Sequence, residues 1–403
     1  MSILILNRFS DNSAKYYEWL KDLNEPIVML CDEVRRDLID TRYDEQYYFS
    51  NWRTNGNLES IAIELHSKYN FKRIISFSET DLIRAAMLRE LLGVHGQNVK
   101  SAKAFRDKVF MKQILKEKGI RVPKFKKVEH PADLLNFCTE NGFPVVYKPV
   151  DGAGSENTEI LYTWEDVKHA LISTAFKPFQ VEEFIEGDMY HIDGLWNNEK
   201  IEFLVASKYI NGCLAYKEDK YLGSFILDED NILHNRLLKY TSEVMEALPS
   251  PPACPIHAEV FVTPEGKLYL CEIASRAGGA RVVETINRLF NFHILKEATL
   301  AQCSINYIQK EKKRSHLNSA GWALVPPKNG MLKKMPASIE HEKVIEFLCN
   351  AKVGDRFNNA SKSVDHILSV IVCGQNENEV EKNINESVSW LNENTLWESV
   401  ENI

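Results

Sequence analysis

The stretch Phe143–Ser155, FPVVYKPVDGAGS, decides how the rest of the chain is read. Val145–Lys148 is a short apolar run ending in a lysine, which predicts a buried strand. A lysine at such a strand end is costly to desolvate unless an anion meets it. The loop that follows holds Gly152, Gly154 and Ser155. Glycines there let backbone N–H groups approach an anion closely. The loop is not a Walker A motif, because no Gly-Lys-Ser/Thr ends it. Taken alone it reads first as a plain turn.

Outward from this core, the upstream residues predict a helix over about 102–118. Gly119 is its C-cap, Pro123 lies just beyond, and Lys108 lies within it. A second α/β region over about 121–195 has strands at Val145–Lys148 and Phe179–Glu183, with helices starting near Pro131 and Trp164. The strand Phe179–Glu183 runs into QVEEFIEG, Gln180–Gly187. Glu182 and Glu183 followed by Phe184 and Ile185 read either as a surface strand end or as a slot for adenine, with backbone groups on the base edge. Further on come MYHIDG, Met189–Gly194, a helix near 236–248 and a proline-rich break at Pro249–Pro255. Residues 256–262 and 267–274 alternate around TPEG and predict a hairpin. Glu259 and Glu272 fall at facing points of it. Two facing carboxylates repel unless a cation sits between them, and Mg²⁺ takes oxygen ligands of this kind; the other reading turns one of them to solvent. Arg276 follows Glu272 by four residues, with Gly278 and Gly279 next. An arginine there would stabilise charge developing in acyl or phosphoryl transfer.

At the N-terminus, Ser2–Asn7, Ile27–Cys31 and Arg73–Phe77 are apolar runs separated by helical patterns, including 58–69. They predict a small doubly wound α/β unit. No GxGxxG follows the first strand. Glu79 lies beyond the third strand, where such sheets bind ligands. It reads equally as a substrate-ammonium partner and as a helix N-terminal carboxylate. The basic segment at 309–316 reads as a solvated helix end or a linker. From about 319, strand patterns at 319–325 and 367–373 and a helix at 377–393 predict a small α/β cap.

The chain has 403 residues, 44% hydrophobic and 26% charged, with a net charge of −8. That length allows two or three domains. The acidic balance argues against a general nucleic-acid binder. No stretch reaches the roughly 18–20 apolar residues of a membrane span, and the start lacks a secretory pattern. Eight scattered cysteines without a CxxC pair predict buried thiols in a reducing cytoplasm.

In this order, Asp107–Lys108, FPVVYKP, DGAGS, VEEFIEG, MYHIDG and Glu259/Glu272 with RAGG resemble the ATP-grasp superfamily. Within it the chain looks most like the carboxylate–amine ligases that include bacterial L-amino-acid (dipeptide) ligases, with their link to antibiotic biosynthesis. The resemblance covers nearly the whole chain. It implies an α/β, ATP-grasp fold: a Rossmann-like pre-ATP domain (1–100), an N-terminal part with the lid (101–195), a body with the metal site (196–318) and a C-terminal cap (319–403).

By resemblance, Lys108 and Lys148 bind ATP phosphates, and Gly152, Gly154 and Ser155 form a lid loop. Glu182, Glu183, Phe184 and Ile185 hold adenine. His191 sits near ribose and phosphates, or else partners Asp193. Lys208 approaches phosphate. Glu259 and Glu272 ligate Mg²⁺, with Mn²⁺ as a substitute. Arg276 stabilises the acyl-phosphate and tetrahedral states. Apart from the resemblance, the substrate pocket is expected between the pre-ATP domain and the Arg276–Arg281 loop, with Gly278 and Gly279, Arg276, Arg281 on a substrate carboxylate, and Glu79 in the first of its two readings. Two positions depart from the family. Ala274 replaces a metal-ligand Asn, leaving water or Ser275 to substitute. Met189 replaces a ribose carboxylate, leaving Asp188. The implied reaction is ATP-dependent amide formation between a small carboxylate and an amine in a cytoplasmic homodimer. Transfer to a carrier protein or a natural-product intermediate is an alternative. A non-catalytic nucleotide-binding regulator is disfavoured by the joint presence of Lys108, Lys148, Glu259, Glu272 and Arg276.

Overall fold

The structure, a computed structural model, describes residues 2–173, 178–303 and 315–399. The first unit is a parallel sheet of four strands in the order Glu45–Phe49, Ile27–Asp32, Ser2–Asn7, Phe71–Ile75. Its two central strands are buried along their whole length. That explains why they are continuous apolar runs without alternation. The strand Glu45–Phe49 escapes sequence reading because its polar residues (EQYYF) lie at the sheet edge.

The predicted helix over 102–118 is two helices, Val99–Ala104 and Lys108–Glu117. The break comes from Asp107, whose carboxylate accepts the N–H groups of Val109 and Phe110 at 2.9 Å each. That cap restarts the helix with Lys108 in its first turn. A four-stranded antiparallel sheet follows, in the order Phe125–Val128, Phe179–Glu183, Val145–Pro149, Glu159–Leu161.

The body is an eight-stranded antiparallel sheet in the order Leu268–Ala274, Ala253–Val262, Asp188–Asn197, Lys200–Ile210, Leu222–Ile226, Ser319–Val325, Leu368–Gly374, Val344–Cys349. Of the strands after residue 318, Ser319–Val325, Leu368–Gly374 and Val344–Cys349 extend the body sheet, while Arg356–Phe357, Gly330–Lys334 and Leu396–Glu398 form a separate three-stranded antiparallel sheet. Residues 309–314 of the basic stretch lie outside the described residues.

Strand parity sets the two faces of the body sheet. Tyr190, Ile192, Ile256, Ala258 and Val260 point into one core, closed by the helices His234–Ala247 and Glu377–Glu393. The alternate residues His191, Asp193, His257 and Glu259 point to the other face. Among the described residues, no helix is long and apolar enough to cross a membrane.

Candidate active site

A cavity of about 900 Å³ opens between the two antiparallel sheets and the N-terminal unit. Two elements bring lysines to it, with a third lysine buried behind them. The capped helix delivers Lys108, whose Nζ donates to the Gly152 carbonyl at 2.7 Å and pairs with Glu272 Oε2 at 2.8 Å. One helical turn on, Lys112 is fully buried, with its Nζ 2.8 Å from Glu182 Oε2. The strand Val145–Pro149 delivers Lys148, which pairs with the other oxygen of Glu182 and lies 3.6 Å from Cys271 Sγ.

Burial lowers the proton affinity of both lysines, but the outcome differs. Lys112, which has Lys148 as a repelling neighbour, ends below the usual lysine range. Lys148 ends above it, because burial is outweighed by the carboxylates of Glu182 and Glu272. Cys271 brings no charge at neutral pH, since burial pushes its thiol up to about 12. The result is a buried cluster of three lysines on two glutamates at the edge of the cavity.

The hairpin places Glu259 opposite Glu272 in direct register, and Glu259 is also in register with His191 on the next strand. Both glutamates line the cavity. Burial raises the Glu272 carboxyl, but Lys108 and Lys148 outweigh it and hold it near 2. One oxygen of Glu272 is taken by Lys108. On Glu259 the described donors converge on Oε1: Tyr209 Oη at 3.1 Å and Cys213 Sγ at 3.7 Å. Each glutamate thus keeps one oxygen for the cavity. Two all-oxygen ligands facing each other beside these lysines fit Mg²⁺ bound together with phosphates.

Arg276 and Arg106 converge on Glu79 from two sides and occupy both of its oxygens. Burial raises this carboxyl, but the two guanidiniums outweigh it and hold it below the usual range. A carboxylate so satisfied has little left for a substrate ammonium, so Glu79 acts here by orienting Arg276. Arg106 also donates to the Asp151 carbonyl at 2.5 Å and so ties this cluster to the lid loop.

In the lid loop Gly154 and Ser155 have positive φ, 63° and 56°. The loop is held by its backbone: Ser363 N–H donates to the Gly154 carbonyl at 3.0 Å, and Tyr216 Oη to the Ser155 carbonyl at 3.1 Å. At the hinge, Pro123, Val146, Ile160, Phe184, Met189 and Phe261 line an apolar slot. The carboxylates of Glu182 and Glu183 do not serve it. Glu182 is neutralised by two lysines, and Glu183 exchanges bonds with the Lys124 backbone, side chain at 2.8 Å and N–H at 2.9 Å. Backbone groups of Phe184 and Ile185 remain for a base edge.

Three expected site residues lie off the cavity. His191 is buried, bonded through Nδ1 to Asp193 Oδ2 at 2.5 Å and through Nε2 to Ser224 Oγ at 2.7 Å. Of its two readings, the structure has the partner of Asp193. Lys208 sits opposite Tyr190 on the far face of the sheet and pairs with Asp188 at 2.8 Å. Arg281 is buried against Glu346 and Ser369, so no substrate carboxylate reaches it. Ser275, a candidate for the missing metal ligand, is instead bonded to Gln97 at 3.0 Å. Gly278 and Gly279 do line the cavity. Sequence reading missed Lys112, Arg106, Tyr209 and His257. An i, i+4 step from Lys108 points to Lys112, and a two-residue step back from Glu259 points to His257.

Residues 105–280 match the ATP-grasp domain family. The L-arginine-specific L-amino acid ligase of Bacillus subtilis is 26% identical, covering 94% of this chain and 94% of its own. The alanine–anticapsin ligase of Bacillus subtilis (strain 168) is 24% identical over 63% of this chain, which spans 59% of that relative. The solved L-amino acid ligase from Bacillus licheniformis superposes with a TM-score of 0.79 over 99% of both chains at 16% identity, a likeness of fold. Residues 105–280, which carry Lys108, Lys148, Glu259, Glu272 and Arg276 of the cavity, are therefore similar to an ATP-grasp domain. Over nearly its whole length the chain is similar to L-amino acid ligases, in sequence to one and in fold to another.

Proposed function

We propose that this chain is an ATP-dependent ligase that joins an amino-acid carboxylate to an amine and releases ADP and phosphate. The observation that carries the reading is the convergence of Lys108, Lys148, Glu259, Glu272 and Arg276 on one cavity beneath a glycine loop. A carboxylate is a poor electrophile, and phosphorylation by ATP gives it a leaving group. Lys108 and Lys148 bind the phosphates, exchanging carboxylate partners for phosphate oxygens. The apolar slot at Phe184 and Met189 holds adenine, and the backbone at Phe184–Ile185 reads its edge. Glu259 and Glu272 would hold Mg²⁺, or Mn²⁺ in its place, which supplies neutralisation of crowded phosphate charge. Arg276, oriented by Glu79, stabilises the acyl-phosphate and the oxyanion formed when the amine attacks. The lid loop excludes water, which would otherwise hydrolyse the acyl-phosphate.

The amino acid taken by this enzyme carries a basic side chain. Glu284 lies on the cavity wall with its side chain 41% exposed, and its closest described cation is Arg281, whose Nε is 4.0 Å away and whose Nη2 pairs with Glu346. Burial raises its carboxyl more than Arg281 lowers it. A carboxylate so weakly compensated beside the apolar Val283, Leu222 and Trp322 favours a cationic substituent on an aliphatic stem. The arginine specificity in the name of one relative agrees.

The test is incubation with ATP, Mg²⁺ and the twenty L-amino acids, singly and in pairs, reading phosphate release and product mass. Amino-acid-dependent phosphate with a mass of two amino acids minus water is expected, strongest when arginine or lysine is present. Phosphate release without such a product would overturn the free amine as acceptor. No stimulation by any amino acid would overturn the substrate class.

A further inference from the structure

Behind Glu259 runs a buried chain of side chains with no direct place in the reaction. It begins at Ser224, whose Oγ meets His191 Nε2 at 2.7 Å. Asp193, fully buried, takes His191 Nδ1 on one oxygen at 2.5 Å and His257 Nδ1 on the other at 2.8 Å. A carboxylate only accepts, so both imidazoles donate to it and both ring orientations are fixed. The second nitrogen of His257 then faces Glu259, with Nε2 3.6 Å from Oε1, an ion-pair distance longer than a hydrogen bond that attracts when Nε2 also carries a proton. Tyr209 approaches the same oxygen from the neighbouring strand at 3.1 Å.

This cluster is not a metal centre. Ligand bonds of about 2 Å in a tetrahedral site put ligand atoms more than roughly 3 Å apart. The contacts of Asp193 at 2.5 and 2.8 Å are hydrogen bonds with no room for an ion between the partners. The chain is also clamped from above. A Cβ on Gly278 would lie 2.6 Å from Asp193 Oδ1 and 2.9 Å from His257 Nδ1, so the backbone of the Arg276–Ala280 loop rests directly on the pair.

We infer that Asp193 is a positioning residue: through His257 it holds Glu259 Oε1 in place, so that this glutamate meets its cation through Oε2 alone. The inference rests on the assignment of Glu259 as a metal ligand. One-oxygen ligation suits the strict octahedral demand of Mg²⁺, whereas Ca²⁺ accepts bidentate carboxylates in a looser shell. The buried chain therefore contributes to cation choice as well as affinity.

The experiment is Mn²⁺ binding by electron paramagnetic resonance to the full-length protein with a non-hydrolysable ATP analogue, followed by Ca²⁺ competition. Wild type is expected to bind Mn²⁺ and to resist Ca²⁺. Asp193→Asn should weaken Mn²⁺ binding by about 10-fold or more and let Ca²⁺ compete better, while affinity for the analogue in EDTA stays unchanged. Tyr209→Phe, which frees the same oxygen without touching the buried chain, should move both readouts the same way by less. If Asp193→Asn does not fold, His257→Asn decides. Wild-type Mn²⁺ affinity and Ca²⁺ discrimination in folded Asp193→Asn or His257→Asn would overturn the inference. Failure of the wild type itself to bind Mn²⁺ with the analogue would instead remove the metal assignment beneath it.

Discussion

The floor and the roof of the cavity are built in opposite ways. The floor is side chains on antiparallel strands: Glu272, Glu259, His257 and Asp193, each engaged by a buried neighbour. The roof is the loop around Gly152–Ser155, held by its backbone carbonyls, which accept from Lys108, Ser363 and Tyr216. A floor of coupled charges does not rearrange cheaply, since each oxygen released must find another partner. The roof's two neutral bonds open for about 1 kcal/mol each, and its remaining tie is the bond from Lys108 to the Gly152 carbonyl. Chemistry that needs fixed charge and excluded water is thereby split between two elements, one preorganised and one closing on the ligand.

The sharpest way to break this contrast is at the floor. Glu272→Gln removes the charge facing Glu259 and leaves Lys108 without its partner. Phosphate release should fall by about 1,000-fold or more, in line with the loss of one preorganised charge-stabilising group. Unchanged turnover would mean that the glutamate pair does not hold the cation. Next in size, Lys148→Met leaves buried Glu182 with Lys112 alone. Breaking a buried pair costs about 3 kcal/mol, so calorimetry should find a melting temperature several degrees lower, with nucleotide affinity weakened as well. A stable variant with normal affinity would show that Lys112 suffices.

Two smaller effects sharpen the comparison away from the floor. Glu284→Gln should raise the KM for arginine by about 10-fold, the scale of one charge-assisted bond, and leave neutral amino acids unchanged. An equal loss for every amino acid would reassign Glu284 to the α-ammonium group. At the roof, Gly154→Ala meets nothing nearer than 3.8 Å, so its cost comes from a φ of 63° alone. That strain of about 1 kcal/mol should lower kcat about fivefold and leave the melting temperature in place, because the loop opens without global unfolding. A lower melting temperature would make the roof part of the stable frame.

Much of the frame was legible because local chemistry marks it. Pro131 and Trp164 start helices, and TPEG closes the hairpin, at the expected positions. Other features depend on partners remote in sequence. Nothing near Arg281 announces Glu346, and nothing near Glu182 announces Lys112. Lys208 is a different case, since strand alternation places it on the face opposite Tyr209. Asp107 belongs to one of the motifs, yet its capping role, which splits one expected helix into two, shows only in the backbone it caps.

The bond from Ser363 N–H to the Gly154 carbonyl joins two sheets that are otherwise separate in the chain. Ser363 leads directly into the strand Leu368–Gly374 of the body, whereas Gly154 lies between strands of the smaller sheet. That single amide is consequently a natural clock for the clasp. Its deuterium uptake measures how often the two sheets part, and its slowing on addition of nucleotide counts the time they spend shut.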